Sequence, residues 1–163
     1  MIRSTIPAAV LVVTAALGLS GWSDGGGNSG GGSSATDMST VKIADSRLGN
    51  ILVDGSGRTL YLFTMDGQNK SSMKCDAACL KLWPPMEGKP KAGHGVDAKL
   101  INTTDAGGKT QATYGGHPLY HYAKDKASGD VKGQGIGKVW YVIDAHGKAV
   151  MKAVGQNSGQ YGY

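Results

Sequence analysis

A ten-residue stretch that recurs at a constant offset of 59 residues limits what this chain can fold into more than any other feature. Gly57-Arg58-Thr59-Leu60-Tyr61-Leu62-Phe63-Thr64-Met65-Asp66 aligns with Gly116-His117-Pro118-Leu119-Tyr120-His121-Tyr122-Ala123-Lys124-Asp125, keeping Gly, Leu, Tyr, an aromatic residue and Asp in register. The correspondence runs on more loosely to Trp83 and Trp140, which lie 17 and 15 residues beyond the two Asp residues. One unit has been duplicated, giving tandem repeats over about residues 41–97 and 98–154 of a domain that spans 38–163. The architecture must therefore be one that two copies of a single unit can build.

Within each repeat the aromatic residues Tyr61 and Phe63, or Tyr120 and Tyr122, are two positions apart, while Leu60, Leu62, Leu119 and His121 fall between them. That alternation is the period of a strand. Further strands are expected at Val41–Ala44, Asn50–Val53, Lys99–Thr103, Thr110–Tyr114, Lys138–Ile143 and Lys148–Ala153, separated by turns such as Asp54-Gly55-Ser56-Gly57 and Tyr114-Gly115-Gly116. Eleven of the 12 acidic residues are Asp, and the 163 residues include 27 Gly, so turn formers outnumber helix formers and a helical bundle is excluded. One segment departs from the pattern: Cys75 to Trp83 carries good helix formers and ends at Pro84-Pro85, which predicts a short helix. The expected fold class is mainly β, an antiparallel sandwich or a small barrel.

The first 37 residues read as something other than fold. Arg3 precedes an uncharged apolar stretch from Ile6 to Leu19, followed by Ser20 and Gly21, the layout of a secretory signal peptide over residues 1–22. The stretch falls short of the roughly 20 residues a membrane-spanning helix needs. Leu19-Ser20-Gly21-Trp22 resembles the Leu-Ser-Gly-Cys box of bacterial lipoproteins with Trp22 in place of the lipidated Cys, and an indole offers no thiol for that reaction. Residues 23–37, rich in Gly and Ser, form a flexible tether. An exported protein of the bacterial cell envelope is expected, and the leader offers its route to the membrane. The net charge of +5 comes from Lys and Arg spread along the chain without a dense run, which argues against a nucleic-acid partner.

The paired motif Tyr61-Leu62-Phe63-Thr64-Met65-Asp66 and Tyr120-His121-Tyr122-Ala123-Lys124-Asp125 resembles that of a bacterial lipoprotein family with a Tyr-x-(Phe/Trp/Tyr)-x-x-Asp signature, a secreted repeat of unknown function. Cys75-x-x-x-Cys79 followed by Trp83-Pro84-Pro85, and Gly133-Gln134-Gly135 leading to Trp140, strengthen the likeness, which covers roughly residues 41–150. It implies an exported, envelope-associated protein and carries over no catalytic residue.

The chemistry-bearing residues are few. Cys75 and Cys79 are the only cysteines, and in an exported chain such a pair is expected as a disulfide. The alternative is a soft copper site or redox pair formed by Cys75, Cys79 and Met73 with a His. His117 and His121 are expected as exposed strand and turn residues, since a spacing of four suits a metal only on a helix. Asp66 and Asp125 are expected to fix the turn after each aromatic strand by accepting backbone N–H groups, with paired glycosidase carboxylates the remote alternative. Tyr61, Phe63, Tyr120, Tyr122, Trp83 and Trp140 are expected in the core, because a chain with one Phe must build its interior from Tyr and Trp; an exposed platform for a ligand is the alternative. No His-Glu-x-x-His helix or phosphate loop is present, and no Gly-x-Ser-x-Gly elbow or dinucleotide fingerprint stands between a strand and a helix. The reading is a non-enzymatic binding or structural module with no cofactor and an unidentified envelope ligand, its oligomeric state unread; a copper-binding or redox protein is the rival.

Overall fold

A computed structural model describes residues 38–72 and 74–155. The expected signal peptide, tether and Trp22, together with Met73 and the last eight residues, lie outside the described residues. Strands dominate: β1 (Thr40–Ser46), β2 (Gly49–Asp54), β3 (Tyr61–Phe63), β4 (Lys91–Ala92), β5 (Ile101–Asp105), β6 (Thr110–Tyr114), β7 (His117–Pro118) and β8 (Trp140–Val142). They form three sheets ordered β2-β1-β4, β3-β8 and β5-β6-β7, antiparallel except for the β1–β4 pair. Among the described residues no closed barrel forms, which removes one of the two expected architectures.

The sheets are stitched together by single bridges, and the order of the stitches is palindromic. Hairpin β1–β2 meets the end of β8 through Ile51 and Asp144, and β8 pairs with β3 along its length. Tyr61 of β3 pairs with Tyr120, Tyr120 with Pro85, and Glu87 with Gln111 of hairpin β5–β6. The centre of the series is Tyr61 opposite its own repeat-equivalent, Tyr120, each donating its N–H to the other's carbonyl at 2.9 Å. Each motif segment thus pairs with the tryptophan segment of the other repeat: Phe63 opposite Trp140, and Tyr120 opposite Pro85 just past Trp83.

Differences from the expected strands have local causes. Tyr120–Tyr122 makes only isolated bridges, both at Tyr120, to Tyr61 and to Pro85, although its equivalent Tyr61–Phe63 is a strand. His121 and Ala123 donate to the carbonyls of Pro84 and Leu82, but Pro84 and Pro85 have no N–H to return. Lys148–Ala153 is no strand beyond the bridge from Ala149 to Ile143, because the Gln134 side-chain amide takes the carbonyls of Val150 and Lys152 at 2.6 and 2.9 Å. Lys99 lies in a 3₁₀ turn, Ala98–Leu100, capped by Asp97. The expected helix forms as α1 (Ala77–Leu82); the Asp76 carboxylate accepts the Cys79 N–H at 2.9 Å as its N-cap, and the helix ends at Trp83 before the proline pair.

Alternation along the motif sorts its residues into two clusters. Tyr61, Phe63, Tyr120 and Tyr122 join Trp83, Trp140, Ile51 and Val142 in one; Leu60, Leu62 and Leu119 join Val41, Leu52, Met86, Ala112, Tyr114 and Ile143 in the other. Neither repeat completes either cluster alone. Fragments 38–97 and 98–155 are accordingly expected to lack near-ultraviolet circular dichroism when separate and to regain it on mixing. Structure in an isolated fragment would contradict the exchanged pairing.

Candidate functional site

The motif residues do most of their chemistry on each other. The Tyr61 hydroxyl donates to Asp125 Oδ2 at 2.6 Å and the Tyr120 hydroxyl to Asp66 Oδ2 at 2.8 Å, so each tyrosine is held by the aspartate of the opposite repeat. The second oxygen of each carboxylate closes its own loop, Asp66 Oδ1 accepting the Ser72 N–H at 2.6 Å and Asp125 Oδ1 the Lys132 N–H at 3.0 Å. Burial, reinforced by the Asp125 carboxylate, holds the Tyr61 phenol far above its ordinary range; burial is also the main cause pushing Tyr120 up to about 12. Burial likewise raises the Asp125 carboxyl above its usual value, against the lowering effect of Tyr61 and the Lys132 N–H. Both phenols stay protonated donors at any physiological pH.

Between these pairs the aromatic rings stack in mirrored order. Trp83 and Trp140 lie face to face, centroids 3.9 Å apart and planes within 2°. Phe63 covers the outer face of the pair at 4.4 Å from Trp140, and Tyr122 covers the other at 4.3 Å from Trp83. Tyr61 and Tyr120 meet the tryptophans edge-on at 5.4 and 5.2 Å. All six rings are buried, so they form no exposed platform. Gly133 passes so close that a Cβ there would lie 2.7 Å from Trp83 and 2.8 Å from Tyr61, which explains a glycine at this step toward Trp140.

Cys75 and Cys79 are bonded to each other across the start of α1, their Cα atoms 5.2 Å apart. So short a loop contributes only about 2 kcal/mol through chain entropy. In this state the sulfurs have no thiolate to offer a metal, which withdraws both cysteines from the alternative copper set; Met73 lies outside the described residues.

The two-fold likeness breaks at one place. Leu52 donates to Ile143 and Ala112 to Met86, which makes β2 and β6 equivalent with Asp54 matched to Tyr114. Motif alignment matches His121 to Leu62. Where one half carries the core residues Leu62 and Tyr114, the other carries His121 and Asp54, both buried. His121 Nε2 lies 3.0 Å from Asp54 Oδ2, Arg58 Nε reaches the same oxygen at 3.1 Å, and Arg58 Nη2 lies 3.4 Å from the same Nε2. The turn Asp54-Gly55-Ser56-Gly57 folds back so that Asp54 Oδ1 accepts the Ser56 N–H, the Ser56 hydroxyl and the Arg58 N–H. Burial opposes the charge on Asp54, but His121, Ser56 and Arg58 together hold its carboxyl well below the ordinary 3.8.

This cluster opens on a cavity of about 400 Å³ lined by Met38, Ser39, Arg58, Pro84, Pro85, Met86, Glu87 and His121. His121 is therefore not the exposed residue its sequence position suggests. His117 is half-buried, and burial lowers its pKa. The available signal for the site was the polar His121 at the core-facing position that Leu62 holds in the first repeat. Asp54 and Arg58 carried none, since their stretch reads as an ordinary turn.

This is the geometry of a duplicated unit closed on itself, with one site where the duplication has diverged. A family model described as a secreted repeat of unknown function matches residues 42–87 and 102–144, one stretch in each repeat and together more than half of the chain. The protein belongs to that family. No curated protein and no solved structure matches the chain. Among the described residues no helix is long and apolar enough to cross a membrane.

Two predictions follow from the contacts. In double-mutant cycles Tyr61→Phe with Asp125→Asn and Tyr120→Phe with Asp66→Asn should couple by about 1–3 kcal/mol in denaturant unfolding, whereas Tyr61→Phe with Asp66→Asn, closer in sequence, should be near additive. For Asp54 the folded pKa is depressed, so its stabilising contribution is complete above the unfolded value of 3.8 and is lost as pH falls below it. Asp54→Asn should therefore cost about 3 kcal/mol near neutral pH, and its deficit against the parent should shrink under acid.

Proposed function

We propose that this protein is an exported, cell-envelope binding module whose ligand enters the cavity beside Asp54, Arg58 and His121, and that it has no catalytic activity. The carrying observation is the broken two-fold: the buried pair His121 and Asp54 stands where the equivalent positions, Leu62 and Tyr114, keep core residues. A buried polar pair adds little stability over well-packed apolar residues, so stability alone gives no reason for it here. A cavity of about 400 Å³ with apolar walls and a few converging polar groups has the character of a small-ligand site. The secreted family supports export. Envelope association rests on the lipoprotein-like leader, which would hold the domain on its Gly/Ser tether. Asp66 and Asp125 are each committed to a tyrosine and a backbone N–H, which argues against an acid/base pair.

The test is side-chain NMR of the full chain during titration with a panel of free amino acids, monosaccharides and mono- and divalent metal ions. Perturbation centred on the His121 imidazole and the Met38 and Met86 methyls, abolished by His121→Leu, is the expected result. A response confined to other surfaces, or one that survives His121→Leu, would refute the reading.

A further inference from the structure

The cavity's chemistry narrows its ligand. Nε2 of His121 is committed to Asp54, which sets the tautomer of the neutral ring with the lone pair on Nδ1. Both contacts of the ring described above, to Asp54 and to Arg58, run through Nε2. His121 lines the cavity, so Nδ1 is the ring nitrogen left to serve it. A carboxylate that fixes one imidazole nitrogen while the other faces open space is the arrangement that orients histidine as a metal ligand and raises its basicity.

Two thioethers share the cavity with His121, alongside Ser39 and Glu87, and the Glu87 carboxylate is already paired with Lys109 at 2.8 Å. Met38, half exposed at the mouth, and Met86, buried in the second core cluster, line the same space as His121. Thioether and imidazole together select a soft, low-charge ion such as Cu(I), and disfavour Mg²⁺ or Ca²⁺, which take oxygen. Arg58 does not forbid a cation, because Asp54 balances it within an ion pair at 3.1 Å. With Cys75 and Cys79 in a disulfide, no thiolate among the described residues competes for the ion.

We infer that the cavity binds one Cu(I), or Ag(I) in its place, through His121 Nδ1 and the sulfurs of Met86 and Met38, with Asp54 positioning the imidazole from behind. The inference rests on the reading of this cavity as the ligand site. Binding is coordination alone, with no electron transferred.

The test is competition of the full-length protein against a chromophoric Cu(I) chelator under anaerobic conditions, repeated with Ag(I), and X-ray absorption of the loaded protein. One ion per chain with mixed nitrogen and sulfur ligands is expected. Met86→Leu conserves volume and Met38→Ala alters an exposed residue, so both should fold while losing at least 10-fold in affinity. Asp54→Asn should lose about 10–100-fold, whereas His146→Ala, at an exposed turn, should lose nothing. No Cu(I) retained against the chelator, or retention unchanged in both methionine variants, overturns the copper assignment. If an organic ligand still perturbs His121 in the NMR titration, the assignment alone fails; if nothing perturbs it, the cavity reading fails with it.

Discussion

Face-to-face contact of Trp83 with Trp140 is the constraint on which the rest of the structure depends. Two equivalent residues can stack at 3.9 Å only where the axis relating their repeats runs between them, so the stack fixes how the halves meet. Phe63 and Tyr122 then fall on its outer faces, and Tyr61 and Tyr120 on its edges. From that placement each tyrosine hydroxyl reaches the carboxylate across the axis, and each carboxylate pins the loop that leads on toward the next tryptophan segment. An aromatic pair is worth only about 0.5–1.5 kcal/mol beyond its burial. Its weight here is geometric, since every neighbouring contact presupposes it.

The duplication explains why so little regular structure suffices. Strands of two to seven residues and one six-residue helix would be marginal as independent sheets. Exchange of segments between repeats makes each short strand part of a ladder that crosses the molecule, and places Leu60, Leu62 and Leu119 on one side of it with the aromatic residues on the other. The same exchange allows one half to change without the other. Asp54 and His121 come from different repeats, so the site exists only after both have folded together.

Much of this was legible in the sequence, because period and repetition are local signals. The alternation at Tyr61–Phe63 placed its residues on two faces, and the offset of 59 announced two equivalent units. The short helix was legible from Cys75 to Trp83 and its proline stop. What stayed hidden was partnership. Nothing in Tyr61-Leu62-Phe63-Thr64-Met65-Asp66 says that its aspartate serves the other repeat's tyrosine, since an intra-repeat turn explains the same spacing. His121 on a strand beside turn residues reads as solvent-facing until the helix end and Pro84-Pro85 are laid over it. Lys148–Ala153 alternates like a strand, and only the three-dimensional position of Gln134 shows that a side chain has taken the ladder's place.

The crossed tyrosine–aspartate pairs also set an order of events in time. Tyr61 and Asp125 are 64 residues apart, and Tyr120 and Asp66 are 54. In a chain of which only the first repeat has emerged, the tyrosine, the aromatic strand and both clusters lack the partners that the second repeat supplies. Contacts of such long range make folding slow relative to local collapse. In a family of secreted repeats the same wiring has a second consequence: a chain that closes only when both repeats are present stays open longer than one whose first half completes its own core.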